Sequence, residues 1–291
     1  MSVQGFHIPQ DVAETVALAA RLGSEAYFIA GGTDLVIQMR RGRRKPGHLI
    51  SLQALDGLKQ IESGAGLVSL GALVTHKQIE TAFAADPVLY GLVESAQVVG
   101  GNQVRHAGTI GGNICNASPA ADLLPQLLTL DAEVVLTGGN GPRQAKLADF
   151  LLGPGRTTRS ADELLTHIRF RRPAGKAATA FLKAGRRRAM EISVISVAAC
   201  IGLSPDGRLE DVRLAVGAAA PMAYRAHDAE ILLQGHKPDE DRLSRAGILA
   251  ASAAVPISDV RASAEHRRRL VAALLPRAIR QCLLRIEKAA Q

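Results

Sequence analysis

Two glycine-rich segments contain the residues whose types and spacing point most directly to chemistry. The first runs from Ala30 to Asp34 (Ala-Gly-Gly-Thr-Asp) and follows the β-prone residues 27–30. Paired glycines between a strand and a helix start leave backbone N–H groups unpaired and unobstructed, and such groups can hold a phosphate. The Thr33 hydroxyl would add a donor, and the Asp34 carboxylate would have to point away. The same pattern fits an ordinary tight turn, so the residues alone leave both interpretations open.

The second segment runs from Thr109 to Asn113 (Thr-Ile-Gly-Gly-Asn) and continues to Asp122. Small hydrogen-bonding side chains cluster in it, at Thr109, Asn113, Asn116, Ser118 and Asp122. Such side chains suit a ligand that bears both phosphates and sugar or ribityl hydroxyls, because a carboxylate accepts from hydroxyls and an amide does both. A surface Ω-loop would have the same composition. Neither segment is Gly-x-Gly-x-x-Gly or Gly-Lys-Ser/Thr, so a Rossmann or P-loop site is not supported.

Periodicity and turn residues predict the elements that must position these segments. Apolar spacing from Val12 predicts a helix that ends at Gly23, and Thr75 to Gln78 has the spacing of a capping box. Strands over 58–61 and 67–74 flank a Ser-Gly-Ala-Gly turn, which predicts a hairpin. Beyond a junction near Gly175, β-prone runs at 178–182, 192–203 and 212–216 precede three helices. The elements predict an α+β chain with mixed sheets and a C-terminal helical cover.

Composition limits the classes of protein that remain. With 291 residues of which 47% are hydrophobic, the chain can bury a substantial core. Only 3% of residues are aromatic and none is Trp, which argues against a stacking platform for single-stranded nucleic acid. The net charge of +8 suits an anionic ligand or an acidic partner without choosing between them. We expect the basic runs 40–45, 186–188 and 267–269 to be mostly solvated, or to dock an acidic partner or a nucleotide acceptor.

The cysteines and histidines predict neither a disulfide framework nor a metal site. Cys115, Cys200 and Cys282 are odd in number and far apart, which fits small buried thiols in a reducing compartment. The eight His are scattered without ligand spacing. No signal peptide is apparent, and the longest apolar run, 192–203, is too short to cross a bilayer. We therefore expect a cytoplasmic protein with no membrane span.

The two glycine segments together carry a family resemblance. After Ala-Gly-Gly-Thr-Asp come Val-Arg-x-x-Gly-Thr-Ile-Gly-Gly-Asn, starting at Val104, and Ser-Pro-x-x-Asp, starting at Ser118. This combination resembles the flavin-binding (medium) subunit of the molybdenum hydroxylases, the group of xanthine dehydrogenase and carbon monoxide dehydrogenase. Residues 217–230 and 259–264 resemble the C-terminal domain of the same family. The resemblance thus covers nearly the whole chain.

The resemblance implies a fold and a division into domains. The fold would be α+β, with a two-lobed FAD-binding domain of the vanillyl-alcohol-oxidase (PCMH) type and a smaller α/β C-terminal domain. We expect the FAD-binding domain over residues 1–174, with lobes at about 1–55 and 56–174. The C-terminal domain, of the carbon monoxide dehydrogenase flavoprotein type, would occupy residues 175–291.

The resemblance also implies which residues hold FAD. Backbone amides and Thr hydroxyls of the two segments would bind the pyrophosphate, and Asn116 and Asp122 match polar contacting positions. Lys183 would lie near the isoalloxazine, where a cation favours the anionic reduced flavin and raises its potential. A solvated lysine at a strand end is the alternative. The predicted binding residues are Ala30, Gly31, Gly32, Thr33, Asp34, Leu35, Thr109, Ile110, Gly111, Gly112, Asn113, Asn116, Asp122 and Lys183.

The function implied is that of a flavoprotein subunit in a molybdenum hydroxylase complex. A large molybdenum-binding subunit would oxidise the substrate, and a small [2Fe-2S] subunit would pass electrons to FAD, which would deliver them to NAD, a quinone or oxygen. The molybdenum cofactor and iron–sulfur clusters would lie only in those partners, in a dimer of heterotrimers. The FAD would be non-covalent, and the chain would need no catalytic residue, metal or nucleic acid of its own. The alternatives are a stand-alone two-lobed FAD-dependent reductase and a non-catalytic basic binding protein.

Overall fold

A small three-stranded parallel sheet, with one helix in each of the two connections between its strands, forms the first lobe. The computed structural model describes residues 3–187 and 190–289. The first long helix begins at Asp11, whose carboxylate accepts a hydrogen bond from the Glu14 N–H, and ends at Gly23 with a φ of 61°. The central strand of the sheet pairs in parallel with both of its neighbours. The elements are β1 (Gly5–His7), α1 (Val12–Leu22), β2 (Ala26–Ile29), α2 (Leu35–Arg40) and β3 (His48–Ser51).

An antiparallel five-stranded sheet packed against helices forms the second lobe. The strand order is β4-β5-β10-β6-β7, and the main hydrophobic core lies between this sheet and helices α4, α6 and α7. The elements are β4 (Ile61–Gly64), β5 (Leu67–Gly71), α3 (His76–Ala82), α4 (Tyr90–Gln97), α5 (Asn102–Ala107), α6 (Ile110–Asn116), α7 (Leu123–Thr129), β6 (Glu133–Gly138), β7 (Gly141–Lys146), α8 (Leu147–Phe150), β8 (Leu151–Gly153), β9 (Arg156–Thr157) and β10 (Leu164–Arg171).

The C-terminal part is a four-stranded antiparallel sheet covered by helices. The strand order is β11-β12-β13-β14, and a second hydrophobic core lies between the sheet and the three helices that follow it. The elements are β11 (Lys176–Ala184), β12 (Ile195–Leu203), β13 (Leu209–Gly217), β14 (Tyr224–Arg225), α9 (His227–Leu233), α10 (Glu240–Ser252) and α11 (Ala264–Ala289).

The predicted hairpin is confirmed, since the strands over Ile61–Gly64 and Leu67–Gly71 pair in antiparallel fashion, but the predicted outer bound of each strand was wrong. Residues 56–59 form a 3-10 turn, and the first strand begins only at Ile61. The second strand ends at Gly71, where a Cβ would lie 2.2 Å from the Leu58 carbonyl oxygen. The backbone of the 3-10 turn therefore crosses directly over Gly71, which only a glycine allows. The capping box at Thr75 was predicted correctly, with both of its hydrogen bonds present.

We propose that the predicted division into domains at residues 174 and 175 holds. The second sheet ends at Arg171 and the third begins at Lys176, so the proposed boundary falls between two sheets. Likewise, the first sheet ends at Ser51 and the second begins at Ile61, on either side of the expected lobe boundary. Among the described helices, none is long and apolar enough to cross a membrane.

Candidate functional site

The backbone of the first glycine segment lies in close contact with the second lobe. A Cβ on Gly31 would lie 1.7 Å from the Ala107 carbonyl oxygen, so any side chain there would push the two lobes apart. Gly32 has a φ of 68°, in the left-handed region that favours glycine. Both glycines are thus required by the backbone path, one by a close approach and the other by its dihedral angle.

The first segment offers a row of unused backbone donors. Within the described residues, the N–H groups of Gly31, Gly32, Thr33, Asp34 and Leu35 find no hydrogen-bond acceptor. The segment instead supplies acceptors to the following helix, since Val36 donates to the Gly32 carbonyl and Gln38 to that of Asp34. Five successive unpaired donors beside a cavity form a backbone arrangement typical of anion sites.

The second glycine segment differs because its amides are already used. The N–H groups of Ile110 and Gly111 donate to the carbonyls of Val74 and Ala72, both at 2.9 Å. The Gly112 N–H donates to the Thr109 hydroxyl oxygen, and the Asn113 N–H donates to the Thr109 carbonyl. Thr109 therefore caps the start of a helix, and the segment is not a loop. These four amides are therefore not free to hold a pyrophosphate, contrary to expectation. What the segment offers instead is side chains on Thr109, Asn113 and Asn116.

One cleft brings the two segments together. Its volume is about 570 Å³, and it lies between the lobes. The Gln38 amide donates to Asn116 Oδ1 at 3.0 Å, which links α2 of the first lobe to α6 of the second. Asn113 Oδ1 is buried without a partner among the described residues. Ten predicted binding residues line the cleft: Ala30, Gly31, Gly32, Thr33, Asp34, Leu35, Thr109, Gly112, Asn113 and Asn116.

Two other predicted residues of the second segment do not line this cleft. Ile110 is fully buried in the main core, so its side chain serves packing. Gly111 lines an adjoining cavity of about 380 Å³, and a Cβ there would lie 2.7 Å from the Ala72 carbonyl oxygen. The glycine at 111 therefore lets α6 pack closely against the chain that follows β5.

Asp122 and Lys183 meet each other in a buried ion pair. Their oxygen and nitrogen are 2.7 Å apart, and the Lys183 ammonium also donates to the Val98 carbonyl at 3.1 Å. The Ser193 hydroxyl donates to the other Asp122 oxygen at 2.5 Å. Burial raises the pKa of the Asp122 carboxyl, and the nearby ammonium opposes that rise. Since the Lys183 side chain is only 11% exposed, the alternative of a solvated lysine is wrong.

The pair does not line the cleft, but it lies next to one end of it. Val99 lines the cleft and directly follows Val98, whose carbonyl accepts from Lys183. The chain therefore places an ammonium and a carboxylate immediately behind that wall.

Several cleft residues were missed by sequence reasoning. Arg44 lies over the Tyr27 ring at 5.7 Å, and Arg159 lies over the Phe28 ring at 5.5 Å, both measured to the ring centroid. Arg156 and His76 also line the cleft. The basic run 40–45, which contains Arg44, could have indicated this residue as a ligand contact. The sequence around Arg159 contains no pattern that would indicate a binding role. The three arginines give the cleft a positive lining that suits a phosphate-bearing ligand.

The basic run 267–269 contains a buried arginine. Arg267 is 2% exposed, and its guanidinium donates to the carbonyls of Val194 and Ala218 and pairs with Asp259 at 2.8 Å. Val194 follows Ser193, which binds Asp122. The expectation of a solvated face is thus wrong at this position, since Arg267 ties helix α11 to the segment behind the cleft. In the run 186–188, Arg188 lies outside the described residues.

In the described part of the chain, no group of three or more His, Cys, Asp or Glu is placed to hold a metal ion. The three cysteines are free thiols, with Cys200 and Cys282 buried and Cys115 at the cleft.

Two family models match the chain. The FAD binding domain in molybdopterin dehydrogenase matches residues 1–173, and the CO dehydrogenase flavoprotein C-terminal domain matches residues 180–282. The putative xanthine dehydrogenase FAD-binding subunit of Escherichia coli K12 is 30% identical over 284 residues, which cover 96% of this chain and 95% of that protein. The nicotinate dehydrogenase FAD-subunit of Eubacterium barkeri is 40% identical over 171 residues, or 58% of each chain.

Solved structures show the same architecture. A chain of the carbon monoxide dehydrogenase from Hydrogenophaga pseudoflava superposes with a TM-score of 0.93 at 28% identity, covering 98% of both chains. A chain of quinoline 2-oxidoreductase from Pseudomonas putida 86 gives a TM-score of 0.90 at 27% identity, covering 100% of this chain and 99% of that one. The fold and the cleft are thus those of a two-lobed FAD-binding flavoprotein.

The chain belongs to the family of FAD-binding medium subunits of the molybdenum hydroxylases, of the carbon monoxide and xanthine dehydrogenase type. It is therefore an oxidoreductase subunit whose cofactor is FAD. The predicted fold class is confirmed, as is the family. A non-catalytic basic binding protein is excluded by this assignment.

Proposed function

We propose that this chain binds FAD non-covalently in the cleft between its lobes and relays electrons within a molybdenum hydroxylase complex. The observation that carries the proposal is the row of five unpaired backbone N–H groups from Gly31 to Leu35 on the cleft wall. A diphosphate needs several donors that converge without obstruction, and backbone amides beside glycines provide them.

The residues present fit FAD in size as well as in chemistry. A cleft of about 570 Å³ adjoined by a cavity of about 380 Å³ lies within the range of cofactor pockets. The two share Thr109, Gly112, Arg44 and Arg159 in their walls, so they form one continuous site. Asn113, with an unpartnered amide oxygen, and the Thr109 hydroxyl would bind polar groups of the dinucleotide.

The buried pair of Asp122 and Lys183 would set the electrostatics at the flavin end. An ammonium has three N–H donors, and two of them are given to Asp122 and Val98. Since the pair lies behind the cleft wall, it would act on the flavin through its charges, and the Asp122 carboxylate would offset part of the field of the Lys183 ammonium.

Burial of the cleft thiol supports a non-covalent cofactor. Cys115 is the cysteine that lines the cleft, and burial raises the pKa of its thiol, which disfavours the nucleophilic thiolate. His106, which adjoins the second glycine segment, does not line the cleft, and its ring bonds the Asn102 carbonyl at 2.9 Å.

The complex proposed has three kinds of subunit, arranged as a dimer of heterotrimers in the cytoplasm. FAD held in the cleft would supply the redox chemistry between a small [2Fe-2S] subunit and an acceptor such as NAD, a quinone or oxygen. The molybdenum cofactor would lie in a large subunit, where the substrate is oxidised. The related carbon monoxide dehydrogenase from Hydrogenophaga pseudoflava was solved in a form that lacks the Mo-pyranopterin moiety of its molybdenum cofactor. Similarity to an enzyme with such a cofactor supports this assignment of roles.

Three measurements test the proposal. The small subunit, reduced with dithionite and freed of excess reductant, should bleach the flavin absorption of the yellow chain when the two are mixed. A flavin that stays oxidised beside a reduced cluster would contradict electron relay.

FMN, which lacks the diphosphate bridge and the adenylate, should bind the flavin-free chain at least about tenfold more weakly than FAD, or 1.4 kcal/mol. Flavin left on acid-denatured protein would contradict non-covalent binding.

A further inference from the structure

His76 lies in the cleft wall beneath the second glycine segment. It is the first residue of α3, and its backbone N–H donates to the Gly108 carbonyl at 3.1 Å. A Cβ on Gly108 would lie 3.1 Å from His76 Cδ2 and 3.3 Å from Nε2, so this edge of the ring faces the segment that leads into Thr109. The residue is 2% exposed and yet lines the cleft. The little surface it shows is therefore directed at the site.

Both ring nitrogens lack a partner among the described residues. Nδ1 is buried and makes no hydrogen bond. Nε2 is not among the fully buried unpaired atoms and makes no hydrogen bond either, so it is the nitrogen that reaches the cleft. A buried polar group without a partner is costly, and in native proteins such a group usually has a ligand or water as its partner.

The surroundings keep the ring uncharged. Burial and the nearby Arg105 lower the pKa of His76 to about 4. Glu80, on the same helix, is paired with Lys77 at 2.7 Å and with Arg105 at 3.6 Å. A neutral ring has one N–H. On Nε2 this N–H can donate to an anion in the cleft, whereas on Nδ1 it would be buried without an acceptor and would leave the Nε2 lone pair facing the anion.

We propose that His76 is an FAD-binding residue whose neutral imidazole donates from Nε2 to the diphosphate of the cofactor beside Thr109. The proposal rests on the proposed function, because it takes FAD as the occupant of the cleft. It adds a side-chain donor on the second lobe, where the amides of residues 110–113 are already used. The diphosphate would thus be held by backbone donors on one side and by an imidazole on the other.

Nitrogen NMR of the chain labelled with ¹⁵N-histidine tests the proposal directly. The His76 signals are assigned by their loss in His76→Gln, and are then followed in the flavin-free chain and after addition of FAD. We expect the Nε2–H tautomer, uncharged at pH 6, with an Nε2 resonance that shifts when FAD binds. An Nδ1–H tautomer, or an Nε2 signal unmoved by bound FAD, would overturn the assignment. Absence of FAD binding by the native chain would refute the proposed function instead.

Affinities of variants give an independent measurement. His76→Phe removes the donor and should weaken FAD about tenfold or more, and His76→Gln, which keeps an N–H donor, should restore part of the loss. His106→Gln serves as the matched control, because that exposed ring bonds only a backbone carbonyl and should leave the affinity unchanged. Equal FAD affinity in the native chain and in His76→Phe would contradict a direct contact.

Discussion

At the scale of single residues, Gly31 sets how closely the two lobes can approach. The space for its side chain is occupied by the Ala107 carbonyl oxygen, at 1.7 Å from an ideal Cβ. Its own N–H belongs to the row of unpaired donors. Gly31 thus determines both how closely the two lobes approach across the cleft and where the unpaired N–H donors lie.

Replacing Gly31 by Ala should therefore weaken FAD binding by more than about tenfold, or 1.4 kcal/mol, because the segment must retreat from the second lobe. Fluorescence titration of the flavin-free chain measures the effect. Gly139→Ala is the control, since a Cβ there meets nothing within 4 Å. An unchanged affinity in the Gly31 variant would show that the close approach does not position the donors.

At the scale of elements, a buried ion pair joins the end of β11 to the residue before α7. Asp122 precedes α7, and Lys183 lies near the end of β11, in a different domain of the proposed division. Removing one partner of a buried pair leaves an uncompensated charge, which is usually more costly than the pair was favourable. Breaking the pair therefore shows whether the packing of β11 and that of α7 stabilise each other.

Lys183→Met should lower the free energy of unfolding at neutral pH by about 3–5 kcal/mol. The native pKa of Asp122 lies above its unfolded value of 3.8, so the folded state binds the proton more readily. Stability of the variant should accordingly rise as pH falls through the folded pKa, and gain nothing further below about 3.8. Urea unfolding at several pH values measures this.

The matched control for that series is Lys59→Met, which breaks an ion pair with the 85% exposed Asp56. Such pairs contribute about 0–1 kcal/mol, so little change is expected. In the double variant Lys183→Met with Asp122→Asn, most of the lost stability should return. A pH-independent loss in the single variant would show that the cost comes from packing and not from charge.

The local elements could be predicted from the sequence, whereas the use of their donors could not. A helix from Val12, the capping box at Thr75 and the strand before Ala30 depend on residues close together in the chain, and the structure contains all three. The amides of residues 110 and 111 are used by carbonyls of Val74 and Ala72, which is a tertiary pairing that no local pattern reports. For the same reason the burial of Arg267 was not foreseen.

At the scale of the whole molecule, Glu94 joins the second lobe to the C-terminal part. It lies on α4, and its carboxylate accepts from the Phe181 N–H at 2.9 Å on β11 and from Gln281 at 2.6 Å on α11. Arg285, also on α11, pairs with the same carboxylate at 3.1 Å through one of its nitrogens. One side chain thus connects three elements, and the pair is only 15–17% exposed.

Glu94→Ala should therefore destabilise the chain by about 3 kcal/mol, since it leaves the Arg285 guanidinium and a strand N–H without their acceptor. Thermal unfolding followed by circular dichroism should show the C-terminal part melting earlier than the FAD-binding lobes. The control is Glu265→Ala on α11, the helix that carries Arg285; it breaks an exposed pair with Arg269 and should cost less than about 1 kcal/mol. Equal losses in the two variants would mean that Glu94 is not what holds the two parts together, and that the apolar contact between them suffices.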